Sequence, residues 1–576
     1  MTEASLKVNP AWQLYVPKLV TVLRRGYGLR DFRGDAVAGL TVAIVALPLA
    51  MALAIASGAA PEKGLHTAII AGFLISALGG SRVQIGGPTA AFIPVVFTVI
   101  EKFGYGGLIL CTLLAGLMLI AAGILRIGTL MKFMPQPVIT GFTAGIAVSI
   151  FLSQVKDALG LRMGAVPAEF FSRLSAYAHH LTDFNVWSAG TAVVSVGLIV
   201  VLRRWRPAWP GFLIAVGGIT LVCVAFGIHT ETIGTRFGSI PMALPQLSLP
   251  HIPLERTREL FPSAFTIAFL AGVESLLSAV VADGMIGGRH RSNCELVAQG
   301  TANIASALFG GLPATGALAR TATNVRSGGR SPIAGMMHAV FLLLFMLAVG
   351  PWLKFVPLAA LAAVLLIVAW NMAEIESFKH LLQGPMGDRA VLLLTFTLTV
   401  MFDLTIAIEV GLVLAAFLFM HRMAEVVSLK SGVSLMEEDE DAPDSPAESN
   451  QRSELPSGVE VFQVSGPLFF AVANRLDEVL DQYPRPPHVF ILRLRSVPLI
   501  DASGAMALHQ LLARCKRAGT RVILSGLRPQ PREILTQMGI RPDAEHLQIA
   551  ENFQDAMTLA RMPPYCPEPQ CGTAEQ

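Results

Sequence analysis

Phe309-Gly310-Gly311-Leu312-Pro313-Ala314-Thr315-Gly316-Ala317-Leu318-Ala319-Arg320-Thr321 closes the stretch that decides this fold, Pro262 to Gly335. Before it come an apolar run carrying the lone acid Glu274, a polar turn from Asp283 to Asn293, and a second apolar run. Apolar runs belong in a membrane protein, whereas an acid inside one and segments broken by Gly and Pro mark candidate sites. The stretch reads as half of a site for a small anion.

The bulk numbers agree. Of 576 residues, 53% are hydrophobic and 14% charged, and the mean hydropathy is +0.59. Soluble chains carry roughly a quarter charged residues, so this is an integral membrane protein whose partner is the lipid bilayer. A net charge of +3 argues against nucleic acid. The first 34 residues are polar, amphipathic and basic (Lys7, Lys18, Arg24, Arg25, Arg30, Arg33), so no cleaved leader is expected. Cys566 and Cys571 read as part of a frayed tail rather than as a disulfide or a metal pair. No Walker-A loop, paired-His motif or nucleophile elbow is present. The chain is expected to be no enzyme and to use neither cofactor nor metal, so an ion or substrate gradient must drive it.

A helix needs about 20 apolar residues to cross a bilayer. By that measure spans fall near 35–57, 64–80, 88–100, 105–125, 137–159, 186–202 and 210–228. A second series falls near 262–281, 292–309, 316–328, 331–350, 358–371, 390–403 and 405–421. Segments 88–100 and 316–328 are too short to cross alone. Each stands third in its series and follows a break, Ile85-Gly86-Gly87-Pro88 in one and Gly310-Gly311-Leu312-Pro313 in the other. The two halves are offset by about 227 residues, and matching interrupted segments are the mark of an inverted repeat. The fold class is therefore a mostly α membrane protein of 14 segments, arranged seven plus seven.

Lys and Arg near the span ends set the orientation. With the N-terminus inside, the inner loops hold Arg82, Arg126, Lys132, Arg203, Arg204, Arg206, Arg289, Arg291, Arg326, Arg330 and Arg389. The outer loops hold Lys102 and Lys354, with Lys156, Arg162 and Arg236 diluting the bias. Both termini are then cytoplasmic in a multi-pass protein of a bacterial-type inner membrane. The domains read as an N-terminal segment 1–34, a transporter domain 35–421, an acidic linker 422–457, a soluble α/β domain 458–562 and a tail 563–576. In the soluble part, Val459–Val464, Val489–Leu494 and Val522–Ser525 read as strands, and Ser503–Arg517 and Glu533–Met538 as helices.

Pro88 suits the first turn of a helix, so the amides of Thr89, Ala90 and Ala91 face outward at the positive end of its dipole. In hydrocarbon such donors need a partner, which an anion supplies; a glycine hinge packed on a neighbour is the other reading. Leu318, Ala319 and Arg320 are the counterpart in the second half. Arg320 adds a whole charge, either toward an anion or in a structural ion pair with Glu274. Glu274 and Ser278 share a helix face. A carboxylate in a low-dielectric cavity can take up a proton near neutrality, so the pair reads as a proton-coupling site. Na⁺ ligation comes second and a fixed structural acid third. Pro48 kinks the first span, and His66 reads as an interfacial residue. Ser503 either caps the helix that follows it or serves as a regulatory phosphosite.

Several motifs carry a resemblance: Pro48-Leu49-Ala50-Met51-Ala52, Gly64-Leu65-His66-Thr67-Ala68, Gly80 to Ala90, and Gly272-Val273-Glu274-Ser275-Leu276-Leu277. They resemble the SulP (sulfate permease) anion transporters, and Ile500-Asp501-Ala502-Ser503-Gly504 resembles the STAS domain of anti-sigma-factor antagonists. The likeness covers nearly the whole chain. It implies core and gate domains, a homodimer and an elevator-like movement of core against gate. It also implies an anion between the N-termini of the third and tenth segments, at Thr89 to Ala91 and at Leu318, Ala319 and Arg320. Glu274 and Ser278 fall where a sodium-dependent bicarbonate member has Asp and Thr, so proton uptake stays ahead of Na⁺. The Glu form, with Ser275 to Met285 and Val368-Ala369-Trp370-Asn371-Met372, looks most like the bacterial C4-dicarboxylate member. Leu49 stands where many sulfate-type relatives carry Gln, which removes one oxyanion donor. Ser503 falls on the serine phosphorylated in the antagonist proteins.

The expected function is secondary active transport of a small anion of the sulfate, bicarbonate or dicarboxylate class, coupled to protons. The alternatives are an anion channel of the same fold and a membrane-anchored receptor acting through the STAS domain.

Overall fold

Apolar runs bounded by Pro, Gly and capping residues fold into the helices that the hydropathy expects. The computed structural model describes residues 14–129, 135–164, 166–167, 169–206, 209–238, 247, 254–402, 404–426, 428–431, 456, 458–469, 487–543 and 545–562. Lys7, Lys132, most of the acidic linker, and the tail with Cys566 and Cys571 lie outside these residues.

The first half runs α1 (Lys18–Arg24), α2 (Leu29–Ala56), α3 (Pro61–Leu78), the short strand β1 (Gly86–Gly87), a 3₁₀ turn (Ala90–Phe92) and α4 (Ile93–Ile124). It continues through α5 (Gln136–Leu159), α6 (Phe170–His180), α7 (Val186–Trp205), α8 (Gly211–Ala225) and α9 (Ile233–Phe237). The second half runs α10 (Thr257–Ile286), α11 (Ser292–Leu308), β2 (Thr315–Gly316), α12 (Leu318–Arg326), α13 (Pro332–Leu353), α14 (Leu358–Met372), α15 (Ile375–Leu382), α16 (Met386–Met401) and α17 (Leu404–Val426).

Prolines open α3, α5 and α13 in the first turn, where their missing N–H costs nothing. Asn185 caps α7 by accepting from the amides of Trp187 and Ser188. Gly104 has φ 70° and ψ −178°, so α4 is two helices meeting at a kink; they are the expected segments 88–100 and 105–125. Among the described residues, seven helices are long and apolar enough to cross a bilayer unaided. Of the rest, α17 has 23 residues, α11 has 17 and α8 has 15. The nine residues of α12 span about 14 Å at 1.5 Å per residue.

Two groups of helices emerge in residues 1–415, a unit by itself. In one, α2, α3, α4, α10, α11, α12 and α13 pack on one another; in the other, α5, α7, α8, α14 and α16 do. The packing is symmetric between halves. α11 lies along the long helix α4 as α3 lies along α13, and α10 meets the first break as α2 meets α12. These are the core and gate of a seven-plus-seven inverted repeat.

The second unit, residues 416–576, carries a five-stranded sheet in the order β3 (Ser428–Ser431), β4 (Val459–Ser465), β5 (Val489–Arg493), β6 (Arg521–Ser525), β7 (Leu547–Ala550). β3 is antiparallel to β4 and the other neighbours are parallel. The helices are α18 (Ala502–Arg517), α19 (Pro529–Gln537) and α20 (Phe553–Arg561). Phe462, Phe490, Leu508, Leu511 and Leu524 fill one core, and Val461, Ile491, Ile523 and Ala556 the other. β5 is buried along its length, as a central parallel strand with both faces covered should be. β3, β7 and α20 were not expected. Strands of four residues and a nine-residue helix are too short to show a period, and Ser428–Ser431 forms only by adding to the edge of β4. The segment read as linker from 422 thus begins with the end of α17 and this strand.

Candidate functional site

The two Gly/Pro breaks, far apart in sequence, lie side by side. β1 and β2 pair antiparallel, Gly86 opposite Gly316 and Gly87 opposite Thr315, and the Ala317 amide donates to the Ile85 carbonyl at 2.8 Å. Glycine is needed for this approach. A Cβ on Gly316 would stand 1.5 Å from Gln84 Nε2, and Gly87 has φ 148° with the Arg320 guanidinium against it.

Beyond the paired strands each chain turns into a helix, so two N-termini flank one place. In the first, the earliest bond of the turn runs from the Phe92 amide to the Thr89 carbonyl at 3.4 Å. In the second, it runs from the Thr321 amide to the Ala317 carbonyl at 2.9 Å. The amides of Thr89, Ala90, Ala91, Leu318, Ala319 and Arg320 make no backbone bond among the described residues. Leu318 and Ala319 are exposed, Thr89 is half-buried, and Ala90 and Ala91 are buried.

The charged side chains complete the arrangement. Thr89 Oγ1 donates to Glu274 Oε2 at 3.1 Å. Arg320 is 4% exposed; its Nη2 donates to the Pro88 carbonyl, and its Nη1 has no partner among the described residues. Glu274 and Arg320 form no direct ion pair. They reach neighbouring residues, Thr89 and Pro88, which leaves one acid and one base beside the paired breaks.

Ser278 lies one turn on from Glu274 in α10. It is buried and donates to Thr321 Oγ1 at 3.2 Å, and that hydroxyl accepts from the Ile85 amide at 3.0 Å. Its i, i+4 spacing from Glu274 holds, but its hydrogen bond goes to α12 and fastens α10 to the second break. Thr315 does the same from the other direction, donating to the Ala271 carbonyl at 2.8 Å. Pro48 lies buried inside α2, and His66 is half-buried on α3.

Ser503 does not cap α18. Asp501 holds the N-cap position in extended backbone and accepts from the Gly504 amide at 2.7 Å. Ser503 falls inside the first turn, where its hydroxyl is exposed.

Sequence reasoning missed several buried polar residues here. Gln84 Nε2 donates to the Ser275 hydroxyl at 2.8 Å and to its carbonyl at 3.1 Å, holding α10 beside Glu274. Glu295, wholly buried, accepts from the amides of Gly80 and Ser81 and from Gln299. Asp35 gathers the amides of Arg330 and Ser331, the Ser331 hydroxyl and Tyr27. The signal that found Glu274, an acid in an apolar run, was present for Glu295 and Asp35 as well. Both are fully bonded and bind helix ends together.

With this geometry in view, the comparisons with known proteins are specific. The profile described as the Sulfate permease family matches residues 32–395, and the one described as the STAS domain matches residues 452–556. YvdB of Bacillus subtilis (strain 168), named for sulfate transport, is 42% identical over 90% of this chain and 95% of its own length. The bicarbonate transporter BicA of Synechocystis is 29% identical over 89% of this chain and 91% of its own. Among solved structures, the murine Slc26a9 anion transporter in the inward-facing state superposes with a TM-score of 0.84 at 18% identity, covering 97% of this chain and 96% of that one. The transmembrane domain of a cyanobacterial BicA superposes with a TM-score of 0.60 at 30% identity, covering 68% of this chain and 98% of that one.

Proposed function

The chain belongs to the sulfate permease family and carries a STAS domain, and we propose that it is a proton-coupled secondary transporter moving one small anion at a time. The observation that carries this reading is the meeting of two helix N-termini at paired breaks, beside a buried arginine with unused N–H groups. Helix N-termini attract anions through their amides and dipole, each contributing about 0.3–1 kcal/mol when exposed and up to about 2 when partly buried. Arg320 adds full charge in a region screened from water.

The donors are mostly backbone, so they recognise negative charge and oxygen atoms better than ligand shape. Sulfate, bicarbonate and C4-dicarboxylates are the candidates. YvdB and BicA, named for sulfate and bicarbonate, span the first two.

Glu274 supplies the proton coupling. While ionised it can only accept, and it engages the Thr89 hydroxyl. Once protonated it can donate, which releases the Thr89 hydroxyl to face the anion and removes a like charge from the site. Anion and proton then enter together. Na⁺ ligation is the second reading, since Ser278 Oγ donates its hydrogen to Thr321 and keeps lone pairs for a cation.

The site and the bonds that hold it lie within the core group, from α2 to α4 and α10 to α13. That supports carriage of the site as one body against α5 and α14, in an elevator-like movement. We place the protein in a bacterial-type inner membrane as a homodimer with both termini cytoplasmic, the STAS domain serving regulation or assembly through Ser503 or its surroundings.

Counterflow in proteoliposomes tests the reading, with sulfate, bicarbonate, succinate and fumarate at two pH values. The proposal requires trans-acceleration by at least one anion, greater under an inward proton gradient. Electrical current without trans-acceleration would make the protein a channel. Neither signal would leave it a receptor.

A further inference from the structure

Near the loop that Arg320 touches lies a buried histidine that the anion site does not use. His338, on α13, is 0% exposed, and neither of its ring nitrogens has a hydrogen-bond partner among the described residues. Buried polar groups in folded proteins find partners, in the protein or in ordered water, and leaving one without is costly.

Helix register locates it. Gly335, one turn earlier on α13, abuts the Ser76 hydroxyl and the Gln84 carbonyl, which a Cβ there would meet at 2.1 and 3.3 Å. Gly39 of α2 packs against the backbone of Ala334 and His338. His338 is thereby enclosed where α13 lies on α2 and α3, at the level of the loop entering the first break. The same loop meets Arg320, whose guanidinium lies against Gly87.

Arg320 has the complementary need. Nη2 is taken by the Pro88 carbonyl, while Nη1 is buried without a partner among the described residues. Gln84, on the loop that abuts Gly335, also has an Oε1 with no partner among them. A guanidinium only donates, a neutral imidazole offers one accepting nitrogen, and an amide oxygen accepts. An ordered water, which needs two to four polar partners in a polar site, would suit all three.

We propose that His338 is a positioning residue for Arg320, its accepting nitrogen fixing one Nη1 hydrogen through a bridging water so that the guanidinium presents its remaining edge to the anion. This rests on the anion-site reading above. Arg320 would otherwise be held from one side only, by the Pro88 carbonyl.

Anion exchange by the full-length protein in proteoliposomes tests it. His338→Phe should raise the KM about tenfold, as for loss of one hydrogen bond to a charged group, with turnover at saturation within about twofold. His338→Gln, whose amide oxygen can accept, should bring KM back to within about threefold of the original. In an Arg320→Gln background, His338→Phe should add nothing further. An unchanged KM in a monodisperse His338→Phe protein with unaltered Tm overturns the proposal. So does a His338→Phe penalty that adds in full to that of Arg320→Gln, since it would mark a general packing defect. If the phenylalanine variant does not fold, His338→Ala makes the same comparison. Should Arg320→Gln itself leave KM unchanged, the anion-site reading falls and takes this proposal with it. If Arg320→Gln raises KM and His338→Phe does not, only the present proposal falls.

Discussion

Replacing Arg320 by glutamine separates the charge of this side chain from its hydrogen bond. Glutamine keeps an amide donor for the Pro88 carbonyl, which accepts from Arg320 Nη2, so the first break need not lose its partner. What disappears is a positive charge that is 4% exposed and therefore little screened. At an effective dielectric near 20, unit charges about 5 Å apart interact by roughly 3 kcal/mol. A hydrogen bond to a charged group contributes about 1.5–3 kcal/mol, a figure that overlaps the first rather than adding to it. The expected loss is about 2–3 kcal/mol, or roughly 30–150-fold in Kd. The assay is equilibrium binding of a labelled anion to purified protein at fixed ionic strength, with thermal unfolding run in parallel. A variant with unchanged Tm that binds within about threefold of the parent would remove Arg320 from the site and leave the amides alone to explain binding.

Glu274→Gln should make anion uptake independent of pH while preserving exchange of internal for external anion. Uptake that still accelerates under an inward proton gradient would show that another group carries the proton. Gly316→Ala should impair transport and lower Tm by several degrees, because the new methyl would overlap the Gln84 amide at 1.5 Å and push it off Ser275. Normal transport by that variant would mean that the Gln84–Ser275 contact is dispensable. Asp501→Ala removes the N-cap of α18 and should destabilise the STAS domain by about 1 kcal/mol, read as a lower midpoint for that domain in denaturant unfolding of the full chain. Ser503→Ala should leave the midpoint in place, since its hydroxyl does no capping.

The architecture was readable because lipid makes strict demands. Charged residues and Gly/Pro breaks stand out against apolar runs, so Glu274, Arg320, Gly86-Gly87-Pro88 and Gly310 to Pro313 declare themselves, and the matching offset of the breaks gives the repeat. What lay beyond reading was tertiary register. That Ser278 bonds Thr321 depends on how α10 rotates against α12, which no spacing within α10 encodes. Gln84 and His338 are single polar residues whose partners come from other helices. In the soluble domain, Asp501 and Ser503 both suit an N-cap, and the choice between them turned on where the chain leaves the extended conformation. β7 and α20 escaped because four and nine residues carry too little pattern.

The central claim is that an anion rests between the amide ends of the two broken segments. It is tested most directly by determining the structure with a heavy-atom anion bound, selenate if the counterflow panel selects sulfate or bromosuccinate if it selects a dicarboxylate. The account predicts density within hydrogen-bonding distance of the amides of Thr89 to Ala91 and of Leu318 to Arg320, with Arg320 turned toward it. Density seated instead between α5 and α14, with both helix N-termini untouched, would contradict it.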